Sequence, residues 1–172
     1  MEYYEENIDP PTVYELVSQD VFKDNCGTLF CIIAFLPDIA DDGKEGRNRY
    51  IELIQSLGER YKKQKWGWSW LPANVYPELE KILGVGGFGY PALVAMNKKK
   101  ELYALYKGSF SEDGLRPFLN QLTYGRSLGN TYPLSVENIP ELTTREPWDG
   151  EDAPEIHYEE EDLSDFKWDD EL

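Results

Sequence analysis

Nowhere in the 172 residues does a Cys-x-x-Cys pair occur. Such a pair places a low-pKa thiolate beside its resolving partner at a helix N-terminus, so its absence removes the usual machinery of thiol–disulfide exchange. The two cysteines present, Cys26 and Cys31, are spaced too widely, and Cys31 lies inside an apolar run. Histidine is nearly missing too, with His157 the only one. Two cysteines and a single distant histidine do not make a four-ligand zinc site. A Ser-His-Asp arrangement would need that histidine folded back from the end of the chain. No stretch reaches the ~18 consecutive apolar residues of a spanning helix, which excludes membrane insertion of that kind. Basic residues number 17 against 33 acidic ones, a net charge of −16. A polyanion repels phosphate backbones and acidic lipid, so nucleic acid is excluded as a partner, while basic peptides and cations are attracted.

The negative charge is unevenly placed. Residues 149–172 hold twelve acidic residues and one lysine, leaving a net −5 for the first 148. Helix and strand periods are clear up to about Tyr124 and absent beyond. The expected organisation is therefore an N-terminal linker at 1–10, one folded domain at 11–125, and a flexible acidic tail at 126–172.

Within the folded part, Thr12 to Leu16 suits a short first strand and Ser18 to Asp24 a short helix. The run 29–36, Leu-Phe-Cys-Ile-Ile-Ala-Phe-Leu, is too short for a buried helix and reads as a central strand covered on both faces, stopped by Pro37. Glu45 to Lys63 is the strongest helix, with Tyr50, Leu53, Ile54, Leu57 and Tyr61 forming one apolar stripe. In the strand that follows, Trp66, Trp68 and Trp70 recur at period two and must share a face. At least one of the three is expected in the core and another partly exposed near the strand's end. Pro77 opens a short helix to Leu83, with Gly84 ending it. Ala92–Asn97 and Leu102–Lys107 make a hairpin. Ser111 caps a final helix carrying Leu115, Phe118, Leu119 and Leu122, with Pro117 implying a late or irregular start. The order β-α-β-α-β-α-β-β-α places three helical crossovers between parallel strands and an antiparallel hairpin at the edge: an α/β fold with a central mixed sheet flanked by helices.

Two motifs fail as ligand sites. Residues 84–89, Gly-Val-Gly-Gly-Phe-Gly, satisfy G-x-G-x-x-G by letter. They follow a helix and precede a strand, the reverse of what a dinucleotide site requires. The glycines serve a tight turn before Pro91. Asp38–Gly43 resembles a calcium loop only until Arg49 falls where a bidentate glutamate belongs; it reads as a solvated turn opening a helix. Cys26 and Cys31 leave two alternatives open: a structural disulfide or two buried thiols.

The chain ends Asp169-Asp170-Glu171-Leu172, three of four positions matching the Lys-Asp-Glu-Leu address of the endoplasmic reticulum. The segments Cys31–Pro37, Gly46–Tyr50, Tyr61–Lys63, Trp66–Trp70, Gly84–Ala92, Lys107–Ser111 and Arg145–Gly150 complete a likeness. Together they resemble the C-terminal part of the protein disulfide-isomerase A6 family, from about residue 11 to 172. That family has two catalytic thioredoxin domains followed by a redox-inactive one and an acidic tail. The resemblance implies a thioredoxin-like fold, Tyr90-Pro91 as a cis-proline junction, and residence in the reticulum lumen. It also implies unfolded or disulfide-bonded secretory clients, luminal chaperones and the retrieval receptor as partners. A substrate-binding surface is expected at Pro37, Phe88, Tyr90 and Pro91. The family's Cys-Gly-His-Cys motifs lie in domains absent here, so catalysis carries over to no residue. The first residues, Met1-Glu2-Tyr3-Tyr4-Glu5-Glu6, lack the basic start and apolar centre of a secretory signal; the expectation is either a fragment of a longer secretory protein or a short paralogue.

The leading expectation is thus a non-catalytic client- or chaperone-binding module without a cofactor. Two alternatives stand beside it. One is a thiol–disulfide oxidoreductase acting through Cys26 and Cys31. The other is a low-affinity calcium buffer, with diffuse weak binding at Glu159, Glu160, Glu161 and Asp162.

Overall fold

The computed structural model describes residues 9, 11–27, 30–87, 89–124 and 131–154. A six-stranded mixed sheet has the order β1-β3-β2-β4-β5-β6, with β1 Val13–Glu15, β2 Cys31–Leu36, β3 Gly67–Pro72, β4 Ala92–Asn97, β5 Leu102–Tyr106 and β6 Thr131–Pro133. The helices are α1 Gln19–Asn25, α2 Ile39–Arg60, α3 Pro77–Ile82 and α4 Glu112–Thr123. This is the thioredoxin-like α/β architecture, with helices on both faces of the sheet.

β2 is buried at every position, as a strand without a polar alternation must be. Its side chains feed two cores by turns. Cys31, Ile33 and Phe35 join Phe22 of α1 and Leu79 of α3 on one face. Ile32, Ala34 and Leu36 join Ile54 and Leu57 of α2 and Leu115 and Leu119 of α4 on the other. All three tryptophans of the β3 segment sit in this second core, with Trp68 fully enclosed and Trp66 and Trp70 each 5% exposed. The expected exposure of one of them is therefore corrected. Tyr61 stacks on Trp66, and Trp148 meets Trp70 edge to face, so the strand's ends are covered as well.

The helix ends follow local chemistry. The Ser18 hydroxyl accepts from the Val21 N–H at 3.2 Å, and Ser111 from Gly114 at 3.1 Å, each satisfying a donor that a helix start leaves free. Beyond α3, Gly84 takes φ +69°; its N–H reaches the Lys81 carbonyl, and the Val85 N–H reaches that of Glu80. This double closure needs a residue that tolerates left-handed backbone. α2 begins at Ile39, earlier than its periodicity indicates, because Asp38 caps it; the non-helical φ of Gly43 kinks it. Pro117 neither delays nor displaces α4. It is solvent-exposed, as is Asp113, whose carbonyl the missing N–H would have engaged, so water can replace that bond.

Two expectations about topology are corrected. Only two pairings are parallel, β1 with β3 and β2 with β3; the strand after α3 lies antiparallel to β2. α3, at six residues, rises about 9 Å, less than half of the about 20 Å advanced by a six-residue strand. The chain turns back instead of returning to the starting edge. Second, the fold does not stop at 125. Residues 131–154 form a strap: β6 pairs antiparallel to β5, and Leu134 and Leu142 are buried in the first core. Tyr132, Leu134, Leu142 and Trp148 insert singly at irregular spacing, so no helix or strand period betrays them.

Candidate functional site

Three chain segments meet at the carboxyl ends of β2 and β3. The ladder sets Phe35 opposite Ala92 and Leu36 opposite Pro72. Pro37 thus leaves β2 beside the point where Pro91 enters β4, and the Ala73 N–H closes onto the Leu36 carbonyl at 2.8 Å. The Tyr90-Pro91 bond is cis. Of the expected surface, Pro37, Tyr90 and Pro91 are brought together here, each half-buried; Phe88 lies outside the described residues.

Tyr90 is held from below. Its phenol donates to one oxygen of Glu80 and lies 3.4 Å from Asn74 Oδ1, while the other Glu80 oxygen accepts from the Asn74 N–H at 2.5 Å. Asn74 occupies left-handed backbone at φ +71°, and Glu80 is buried. Burial, the hydrogen bond to Glu80 and its charge push the phenol up to about 12. Tyr90 consequently remains a donor at every physiological pH. In the unfolded chain a tyrosine titrates near 10. Folded and unfolded forms are both protonated below that value, and above it the unfolded chain releases its proton first. The stability from Tyr90 is therefore complete below about pH 10 and is lost as pH rises toward 12. We expect the stability advantage of wild type over Tyr90→Phe to be constant from pH 7 to 10 and to shrink above it in urea titrations; an advantage that grows above pH 10 contradicts the assignment.

The Pro37 side is anchored differently. The Arg47 Nη2 donates to the Pro37 carbonyl at 2.9 Å, and the guanidinium lies against two indoles that touch each other edge to face, 5.4 Å from the Trp70 ring and 5.1 Å from that of Trp148. Arg47 is 3% exposed. Desolvation lowers its pKa, opposed by the charges of Glu15, Asp38 and Asp42 and assisted by that of Arg145; an arginine keeps its proton regardless. The strap completes the arrangement. Arg145 pairs with Glu15 at 3.0 Å and donates to the Leu16 carbonyl; Glu15 in turn accepts from the Trp148 N–H. Asp152 accepts from the Lys44 N–H at 2.6 Å, just past the Gly43 kink.

Arg47, Glu80, Asn74 and Trp148 carry this geometry and were not among the expected site residues. One had a signal: Arg47 lies three and seven residues before Tyr50 and Ile54, on the apolar stripe of α2, where a charge needs a buried partner.

The cysteines are at the other end of β2. Cys26 and Cys31 are joined in a disulfide with Cα atoms 4.8 Å apart, and both are buried. Their carriers, the end of α1 and the first residue of β2, lie about 20 Å of strand from Pro37. Among the described residues no group of three or more His, Cys, Asp or Glu could hold a metal, and no helix is long and apolar enough to cross a membrane. The calcium positions Glu159–Asp162 and the terminal Asp169, Asp170, Glu171 and Leu172 lie outside the described residues.

Similarity to known proteins runs along the whole chain. A family model described as the PDIA6-like, C-terminal thioredoxin-like domain matches residues 3–127. The chain is 45% identical over 172 residues to "Protein disulfide-isomerase A6" of Mus musculus, covering 99% of this chain and 38% of that protein. Against the Homo sapiens protein of the same name the identity is 44% with the same coverage. With the Caenorhabditis elegans homolog it is 42% over 166 residues, 96% of this chain and 37% of that one. The chain thus spans less than two fifths of these relatives. Among solved structures, the "bb fragment of ERp72" aligns with a TM-score of 0.53 at 14% identity, over 73% of this chain and 54% of that one; this likeness concerns the fold alone.

Proposed function

Since the chain belongs to the family of PDIA6-like C-terminal thioredoxin-like domains, we propose that it is a non-catalytic module that binds unfolded or disulfide-bonded clients for a protein disulfide isomerase in the lumen of the endoplasmic reticulum. The observation that carries the reading is the separation of sulfur from the proline face. The face formed by Pro37, Tyr90 and Pro91 has strand ends beneath it and no thiol, because both cysteines are committed to a disulfide at the opposite end of β2. Such a surface can hold an extended chain through backbone groups and aromatic contact without attacking it. The Glu80–Tyr90 and Arg47–Pro37 bonds fix its two sides before any client arrives, which lowers the ordering cost of binding.

The buried position of both cysteines also speaks against an oxidoreductase acting through them, since exchange needs an accessible thiolate. A fluorescent, reduced and alkylated polypeptide serves as the probe. We expect anisotropy titrations to show binding that weakens about tenfold in Phe88→Ala/Tyr90→Ala, the scale of one or two lost aromatic contacts. Unchanged affinity in a variant that retains its fold overturns the assignment, as does insulin reduction by the wild type that Cys26→Ala abolishes.

A further inference from the structure

The face formed by Pro37, Tyr90 and Pro91 stands between two acidic flanks, because α2 and α3 cover opposite sides of the sheet. On the α2 side, Asp38 follows Pro37 directly, and Asp41, Asp42 and Glu45 lie in the first turns of the helix. All four are exposed. The strap brings Glu146, Asp149, Glu151 and Asp152 to the same side, with Asp152 bonded to the Lys44 N–H. On the other side, Glu80 lies beneath Tyr90 and the exposed Glu78 opens α3.

The α3 flank is also concave. A groove of about 260 Å³ separates the start of this helix from the strap, with Val75, Tyr76, Leu79 and Leu142 in its lining. The charged residues of that lining are Glu78 and Glu141, and no cation is among them. Neither carboxylate takes part in an ion pair among the described residues. Across both flanks, residues 38–49, 78–81 and 145–152 with Glu15 and Lys107 hold eleven carboxylates and six cations. Three of the six are engaged within the fold: Arg47 with the Pro37 carbonyl, Arg145 with Glu15, and Lys44 with Glu151 at 3.7 Å.

We propose that this face selects extended client segments in which lysine or arginine flanks the apolar residues. The inference deepens the client-binding reading and rests on it. An extended chain sends successive side chains to opposite sides. Basic residues around an apolar one therefore meet the α2 carboxylates on one flank and Glu78 on the other. The α3 groove suits a long basic side chain, whose stem its apolar lining covers while the head pairs with a glutamate. The summed negative potential of this end also steers cationic segments toward it.

Anisotropy titrations of the full chain test it with three fluorescein-labelled peptides that share an apolar core and carry lysines, serines or glutamates on both sides. We expect the lysine peptide to bind about tenfold more tightly than the serine peptide in 20 mM NaCl, the scale of two or three exposed ion pairs. The glutamate peptide should bind more weakly than either. At 1 M NaCl, where the screening length is about 3 Å, the three should agree within about twofold. In Asp38→Asn/Asp41→Asn/Glu78→Gln the lysine advantage should fall to about threefold, and asparagine caps α2 as aspartate does. Asp24→Asn/Glu101→Gln/Glu137→Gln makes the same change of charge at the Cys31 end and should leave the advantage intact. An advantage that survives the first variant, or falls equally in the second, overturns the proposal, because the attraction then belongs to the acidic residues 155–172 or to net charge. Equal binding of the three peptides by wild type overturns it and leaves client binding standing; binding of none overturns both.

Discussion

A chain cut after residue 125 is expected not to fold cooperatively, although all four α-helices and five of the six strands would remain. The cut removes Leu134 and Leu142, each 3% exposed, and full burial of such a side chain contributes about 1.5–3 kcal/mol. It strips β6 from β5, exposing the edge at Leu102–Ala104. It takes the Thr143 carbonyl from the Tyr76 hydroxyl, and Arg145 from Glu15. It also uncovers Trp70 and leaves Arg47 with one indole in place of two. These losses together exceed about 5 kcal/mol, the lower bound of what a domain of this size has. A cut after Pro140 keeps β6 and Leu134 and should fall between, destabilised by about 3–5 kcal/mol. Urea titrations followed by tryptophan fluorescence and near-ultraviolet circular dichroism measure both. A 1–125 chain with a cooperative transition within about 1 kcal/mol of the full chain, a shift of only ~5 °C in Tm, would show that the strap is a passenger.

The strap also shows where sequence reading succeeds and fails. β2 was legible because a six-residue run buried on both faces cannot alternate, and α2 and α4 because packing against a sheet imposes a 3.6-residue period on their apolar positions. A strap has no such constraint. It crosses two cores in turn and supplies each with isolated side chains, so its amino-acid pattern is that of a tail. The segment Arg145–Gly150 was visible as a family resemblance, yet nothing local reveals that Arg145 reaches back to Glu15 and Leu16, or that Asp152 accepts from the Lys44 N–H near the start of α2. The antiparallel setting of β4 was hidden for a related reason: a helix between strands suggests a crossover, and only its six-residue length hints at a reversal. At the candidate site, the approach of Pro37 to Pro91 follows once β2 and β4 are known to be neighbours. The clamps on each side, Glu80 on Tyr90 and Arg47 on Pro37, are long-range bonds that no spacing encodes.

Arg47→Ala is expected to cost about 3–5 kcal/mol, the range for breaking a buried charged arrangement or emptying a core position. The guanidinium performs three tasks at once. It packs in the corner formed by Trp70 and Trp148, places positive charge against both rings, and donates to the Pro37 carbonyl. Each cation–π contact contributes about 0.5–2 kcal/mol when desolvated. The carbonyl left without a donor costs about 1–3 kcal/mol. Arg47 Nε is buried without a hydrogen-bond partner in the described structure, so the charge itself is imperfectly compensated. Arg47→Met, which preserves much of the volume and removes that charge, should recover about half of the alanine loss. Arg47→Lys keeps the charge but lacks the planar group that packs against an indole and the same fork of donors, and should sit between methionine and alanine. A double-mutant cycle with Trp148→Ala isolates the tie between helix and strap; a coupling of about 1 kcal/mol or more is expected for groups in contact. Because the same side chain fixes the Pro37 carbonyl, Arg47→Met should weaken binding of the alkylated polypeptide more than it weakens the fold. Coupling near zero, together with undiminished binding, would reduce Arg47 to a filler and leave the Pro37 side of the face without its anchor.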